Sequence, residues 1–263
     1  MVEKMNGEIL VERQGTLAYV TLSFPGKFNA MSRRMWRDLR TTFRSFQHEQ
    51  SLRCIVIRGA GGHFCAGGDI SEYPQFRYSE SGLREFHEED VWGGLSAVLD
   101  CDIPIVAQIE GNCMGAGLEI ACCCDIRIAS STSKFGAPIG HLGFPMAPRE
   151  AALVLRETGA LTARELLLEA GIISAESMLQ RGFLHRSVVD ATLIQEVAAS
   201  VRRIIQLAPL AARRNKQALR ALLLDRPDTL AALLQGAYAY ADSPEHREGI
   251  DAFLAKRKPG YSQ

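Results

Sequence analysis

Along the first half of the chain, apolar positions switch repeatedly between the short period of strands and the longer period of helices. Ile9 to Glu12 and Leu17 to Phe24 read as two strands around the turn Gln14-Gly15, which predicts a hairpin. PGKFNAMS follows as a loop. Ser32 is placed to cap a helix from Arg33 to Glu49, whose Met35, Trp36, Leu39, Phe43 and Phe46 share one face. Cys54 to Ile57 is a short buried strand that runs into the glycine loop GAGGHFCAGGD. An amphipathic helix is predicted from Gly82 to Leu99, then a strand from Ile105 to Ile109 opened by Pro104. A second glycine loop, GNCMGAG, leads into the short apolar helix LEIACC, and Asp125 to Ala129 reads as a further strand.

Beyond about residue 147 the pattern becomes helical throughout, with helices expected near 148–158, 161–169, 174–181, 191–207, 209–224, 228–241 and 244–257. No repeat of fixed period and no low-complexity linker interrupts it. The pattern predicts an α/β unit of strand–helix crossovers with an all-helical C-terminal extension. The apolar stripes of the tail exceed what one sheet face can cover, which points to burial against further copies of the chain.

Composition narrows the function. With 263 residues there is room for one large domain, alone or with an appendage. Thirty basic residues balance thirty acidic ones, so nothing in the bulk charge favours nucleic acid or an anionic membrane. No apolar run approaches the roughly 20 residues that span a bilayer, and the N-terminal segment lacks the apolar region of a secretory signal. A cytoplasmic location is the expectation. The seven cysteines are odd in number and lack the spacing of a disulfide framework. Neighbours in the run Cys122-Cys123-Cys124 cannot all face one tetrahedral centre, so buried thiols are expected and no metal.

The candidate chemistry sits in the two glycine loops. Neither fits a nucleotide fingerprint: Gly111, Gly115 and Gly117 are not spaced as G-x-G-x-x-G, and no G-K-[ST] follows. Tight turns are one reading. The other starts from their shared form, in which each loop follows an apolar strand and exposes backbone N–H groups among small residues. Two such loops from neighbouring strands can converge on one oxygen, the arrangement of an oxyanion hole.

HFCAGGDISEY (63–73) and PIVAQIEGNCMGAGLEIACCCDIRIAS (104–130) resemble the crotonase, or enoyl-CoA hydratase/isomerase, superfamily, and the similarity runs through nearly the whole chain. PGKFNAMS resembles that family's CoA-contact loop, KFGAPIGHLGFPM (134–146) its active-site segment, and HREGIDAFLAKRKPGY (246–261) its C-terminal helix. The resemblance implies a spiral of ββα units over residues 1–190, with residues 191–263 as a helical region that assembles the oligomer and covers CoA. It implies a homotrimer, or a hexamer of paired trimers, acting on acyl-CoA thioesters with no cofactor beyond the CoA of the substrate.

Carried over by position, the oxyanion donors fall on the N–H groups of Gly68 and Ala116, with alanine where the family most often has glycine. Asp69 would cap the helix after Gly68. Lys27, Phe28 and Ala66 would line the CoA channel, and Phe253 and Lys256 would reach the CoA of a neighbouring subunit. Glu119 matches the first catalytic glutamate of the hydratases. It lies one turn beyond Ala116 among apolar neighbours, where a carboxyl is paired or has a raised pKa. The second hydratase glutamate is absent: F-G-x-P-E reads Phe135-Gly136-Ala137-Pro138-Ile139. Ala147 and Met146 stand where other family members carry an aspartate or a tyrosine. His141, two residues after Ile139, is the substitute proton donor considered first, with Arg149 and Glu150 behind it.

Three functions remain open from these residues. One is a hydratase-like lyase using Glu119. The second is a single-acid isomerase, decarboxylase or thioester hydrolase. The third is an acyl-CoA-binding protein with little catalysis. A Clp-type serine protease shares the kind of fold, but no serine here has a recognisable nucleophile context.

Overall fold

The computed structural model describes residues 7–224 and 226–261. The outer ends of the two expected regions, residues 1–6 and 262–263, lie outside it, as does Asp225.

The chain opens with the hairpin β1 (Glu8–Gln14) and β2 (Leu17–Ser23), then α1 (Arg33–Gln47) and β3 (Cys54–Gly59). The Ser32 hydroxyl accepts from Met35 N at 3.2 Å, capping α1 as the sequence predicts. Next come α2 (Glu80–Glu85), α3 (Trp92–Asp100), β4 (Ile105–Ile109), β5 (Asn112–Met114), α4 (Ala116–Cys122), β6 (Ile126–Ser130) and β7 (Lys134–Gly136). The remainder is α5 (Pro148–Thr158), α6 (Ala160–Leu168), β8 (Ile172–Ser174), α7 (Ala175–Gln180), β9 (Arg186–Val188), α8 (Leu193–Ile205), α9 (Pro209–Leu223), α10 (Pro227–Gln235) and α11 (Pro244–Leu254).

The strands form two sheets. The larger has the order β1-β2-β3-β4-β6-β9 and is parallel apart from the β1–β2 hairpin. The smaller has the order β5-β7-β8. From β4 to β7 the chain alternates between them, which gives the climbing ββα turns that the resemblance implied. The inner strands β3, β4 and β6 of the large sheet are buried on both faces. Ile55, Ile57, Ile105, Ala107 and Ile109 point into the main core with α1, whereas Cys54, Val56, Val106 and Ile128 meet Leu193, Val197 and Val201 of α8.

Three differences from the sequence reading have physical causes. The single helix expected from Gly82 to Leu99 is broken by a π turn at Phe86–Val91. Asp90 in that turn is buried and accepts from Arg33 Nε at 2.6 Å and Arg37 Nε at 2.7 Å, so helix α1 dictates which way the turn faces. Strands β5, β7, β8 and β9 have three residues each, too few to show a period. The helix expected over 228–241 stops at Gln235 before Gly236, after which the chain forms turns.

The C-terminal helices hold the core by polar contacts. Lys216 of α9 donates to Ile103 O at 2.9 Å and pairs with Asp125 at 2.7 Å, and Arg220 pairs with Asp102 at 2.6 Å. The large apolar side chains of α9, α10 and α11 at Leu219, Leu222, Leu223, Leu234, Phe253 and Leu254 are all exposed. Among the described residues no helix is long and apolar enough to cross a membrane.

All seven cysteines are free and buried. Burial pushes Cys54, Cys65 and Cys124 up to about 12. Such thiols are packing groups with almost no thiolate. The native protein should therefore react with none of them on the timescale of free cysteine, and with all seven after denaturation. Titration with an aromatic disulfide reagent checks this; one rapidly labelled native thiol would contradict it.

Candidate active site

The two glycine loops are locked together by backbone pairing. Cys65 bridges Cys113 in parallel fashion, with Cys65 N donating to Asn112 O at 2.9 Å and Met114 N to Cys65 O at 2.9 Å. The approach is close enough that a Cβ on Gly117 would meet Cys65 O at 2.7 Å, so glycine is required there. A second bridge joins Met31 to Gly68. It uses Gly67 O and Asp69 N, each at 2.8 Å from its Met31 partner, and leaves the N–H of Gly68 out of the pairing. Gly115 N donates to Gly136 O at 2.8 Å, which leaves the N–H of Ala116, the first residue of α4, without an intrahelical acceptor. Gly68 and Ala116 thus come to the wall of one cavity, of about 200 Å³.

The cavity wall is largely apolar, from Trp36, Phe86, Val91, Met114, Ile139, Phe144 and Met146. Tyr73 stands beside the donors: a Cβ at position 68 would lie 2.2 Å from its hydroxyl, so any residue larger than glycine would displace it. Glu119 lines the same cavity and is 7% exposed, and its carboxyl has no hydrogen-bond partner among the described residues. Removal from water, and then the charge of Glu150, hold that carboxyl well above the usual carboxylate range.

Glu150, which sequence reasoning ranked behind His141, is buried at the cavity. It belongs to the first turn of α5, is 3% exposed and lines the cavity with Glu119. His87 Nδ1 lies 2.9 Å from Glu150 Oε1, and Arg77 Nη2 lies 3.1 Å from His87 Nε2. Arg77 stacks over the rings of Phe144 and Tyr73, at 3.8 and 4.3 Å from the centroids. Its Nε is a buried donor without a partner in the structure. The Pro148 start of α5 marked Glu150 as a first-turn acid, but nothing local marked Arg77 or His87.

The other predicted residues divide. Ala66 lines the cavity, whereas Phe28 is exposed beside His63, with its backbone at φ 47°. Lys27 donates to Asp69 at 2.7 and 2.8 Å and to Ser71 at 2.8 Å. Burial alone would raise the Asp69 carboxyl; Lys27 and Ser71 outweigh it and hold it below its ordinary value. Asp69 also caps the 3₁₀ turn Ile70–Gln75 through Ser71 N. His141 is exposed and does not line the cavity. Phe253 and Lys256 are exposed at the end of α11, away from the cavity wall. Among the described residues no group of three or more His, Cys, Asp or Glu is arranged to hold a metal ion.

Comparison with known proteins adds the family. The family model for enoyl-CoA hydratase/isomerase matches residues 12–263. A probable enoyl-CoA hydratase of Rhizobium meliloti is 31% identical over 257 residues, covering 96% of this chain and 97% of that one. The short-chain-enoyl-CoA hydratase of Clostridium acetobutylicum is 28% identical over 252 residues, covering 95% of each. The crystal structure of an enoyl-CoA hydratase/carnithine racemase from Magnetospirillum magneticum superposes with a TM-score of 0.91 at 37% identity, covering 97% of this chain and 95% of that one.

The raised carboxyl has a consequence for stability. Folded Glu119 keeps a proton that the unfolded chain releases above about 4.5, so stability is full below that value and falls as pH rises to and through the folded value. Glu119→Gln keeps the shape and removes the ionisation. Its Tm should equal that of wild type near pH 4.5 and exceed it increasingly above, by about 2–4 °C per kcal/mol. Calorimetry across this range checks the expectation; a Tm difference independent of pH would refute it.

Proposed function

The chain belongs to the enoyl-CoA hydratase/isomerase family, and on that premise we propose that it adds water across the 2,3 double bond of an enoyl-CoA thioester. The observation that carries the reading is the convergence of two unengaged N–H groups, of Gly68 and Ala116, and one buried carboxyl on a single apolar cavity. The thioester oxygen accepts from both N–H groups. As water attacks Cβ, negative charge builds on that oxygen, and fixed donors in a dry site stabilise it by roughly 2.7–4 kcal/mol each. The methyl group of Ala116 leaves its N–H in place. Glu119, whose carboxyl burial holds above the usual carboxylate range, is placed to deliver a proton to Cα.

CoA enters this reading as part of the substrate, its pantetheine arm passing Ala66, and no further cofactor is required. Lys27 already pairs with Asp69, so its contribution to CoA is to shape the loop at residues 25–32. Phe253 and Lys256 lie on a surface rich in exposed apolar side chains, which suits contact with a second subunit. In this reading residues 191–263 assemble a trimer, or a hexamer of two trimers, and lend those residues to a neighbour's CoA.

The apolar side chain at Ile139 favours a second reading, a one-acid reaction such as migration of a double bond from 3-enoyl to 2-enoyl-CoA. Offering crotonyl-CoA and a 3-enoyl-CoA in parallel, with product mass read afterwards, separates the two.

On the favoured reading, Glu119→Gln lowers kcat for crotonyl-CoA hydration by about 10²–10⁴-fold with little change in KM. Loss of the enoyl-thioester absorbance measures it, and a mutant with wild-type kcat would remove Glu119 from the chemistry. Light scattering at micromolar concentration should give three or six times the 28.9 kDa chain mass; a monomer would refute the assembly.

A further inference from the structure

Hydration needs two proton movements, and the family's second glutamate is replaced by Ile139, which lines the cavity and carries no proton. A second carboxylate is nevertheless present. Glu119 reaches the cavity from α4 and Glu150 from the first turn of α5, and the two helices pack together. An arginine can only donate, so His87 Nε2 accepts from Arg77. The ring proton is then on Nδ1, which donates to Glu150 Oε1 at 2.9 Å. The N-terminus of α5 adds free N–H groups and the positive end of its dipole. These contacts fix the position of the Glu150 carboxyl at the cavity wall.

We propose that Glu150 is the second catalytic carboxylate of this enzyme, with His87 and Arg77 as the positioning residues that orient it. The inference rests on the hydration reading. The attacking water gives one proton to Glu150 as its oxygen bonds to Cβ. The π electrons of the double bond pass to Cα and the thioester, and Glu119 supplies the proton that Cα takes up. Water is consumed whole; Glu150 ends protonated and Glu119 ionised, and transfer of one proton between them, directly or through solvent, resets the pair. The two carboxyls therefore hold opposite protonation states, the requirement for acid and base to coexist near neutrality.

The test is the pH dependence of crotonyl-CoA hydration. The other titratable and charged groups around the pair are Tyr73, Arg77, His87 and Cys65. Wild type should show a bell: the acidic limb from protonation of Glu150, the basic limb from ionisation of Glu119. Glu150→Gln should lower kcat by about 10²–10⁴-fold at near-constant KM and abolish the acidic limb. His87→Leu removes the donor and should move that limb to higher pH, while His87→Gln, which keeps a donor, returns it toward the wild-type position. A folded Glu150→Gln enzyme with wild-type kcat and an intact acidic limb would overturn the proposal. Should that variant fail to fold, an unmoved limb in His87→Leu would do so.

An infrared titration keeps this separate from the hydration reading. The carboxylic-acid band of Glu119, taken as wild type minus Glu119→Gln, should vanish at lower pH in the Glu150→Gln background, because a like charge has been removed. If the band shifts but no enoyl-CoA is hydrated, the pair stands and the reaction assignment falls. If the band does not move, the pair itself is refuted.

Discussion

The parallel bridge between Cys65 and Cys113 is the contact on which the site depends. It fixes the loop after β3 against the loop after β4, and with it the N–H groups of Gly68 and Ala116. Neither loop has regular structure strong enough to hold a donor in place alone. Each borrows rigidity from a strand buried on both faces, and the bridge transfers it across. Gly117 is the steric condition for this contact, because a side chain there would push the loops apart at Cys65 O. Met31, pairing with Gly68 from the loop before α1, holds the first loop from its other side.

The two loops border an apolar cavity, and the apolar cavity sets the electrostatics. Trp36, Phe86, Phe144 and Met146 exclude water from Glu119, and exclusion of water is the larger cause of its raised carboxyl, with Glu150 the smaller. Two carboxylates in one dry pocket would repel strongly if both were charged. The line Arg77–His87–Glu150 gives one of them a hydrogen-bond donor, whereas Glu119 has none among the described residues. The arrangement disfavours the ionised folded state above the ordinary carboxylate range, so burial of Glu119 costs stability as pH rises.

The π turn at Phe86–Val91 links this pocket to the core. Asp90 is pinned by Arg33 and Arg37 of α1, and the same turn carries Phe86, His87 and Val91 to the cavity wall. An uninterrupted α-helix would answer to its own periodicity; the inserted π turn lets a buried ion pair on one side and a site histidine on the other both be satisfied. At the opposite end of the molecule, α9 is fastened by Lys216 and Arg220 while its leucines stay exposed, so the tail is docked through polar groups and keeps its apolar surface free.

The sequence by itself determined what local spacing encodes. The capped helix after Ser32, the strands at Leu17, Cys54 and Ile105, the two glycine loops and the position of Glu119 one turn beyond Ala116 were all legible, because each depends on residues a few positions apart. The loss of the glutamate at Ile139 was legible for the same reason. The second buried acid of the cavity was not. Arg77, His87 and Glu150 come from a turn, a π turn and a helix start, and 63 residues separate His87 from its partner Glu150. No periodicity records such a contact, and without it His141 was the nearer histidine and the natural choice, although it stands exposed. Tertiary structure decided the partner because a hydrogen bond between distant segments is fixed by how α1, the π turn and α5 pack together, and that packing is a property of the whole fold.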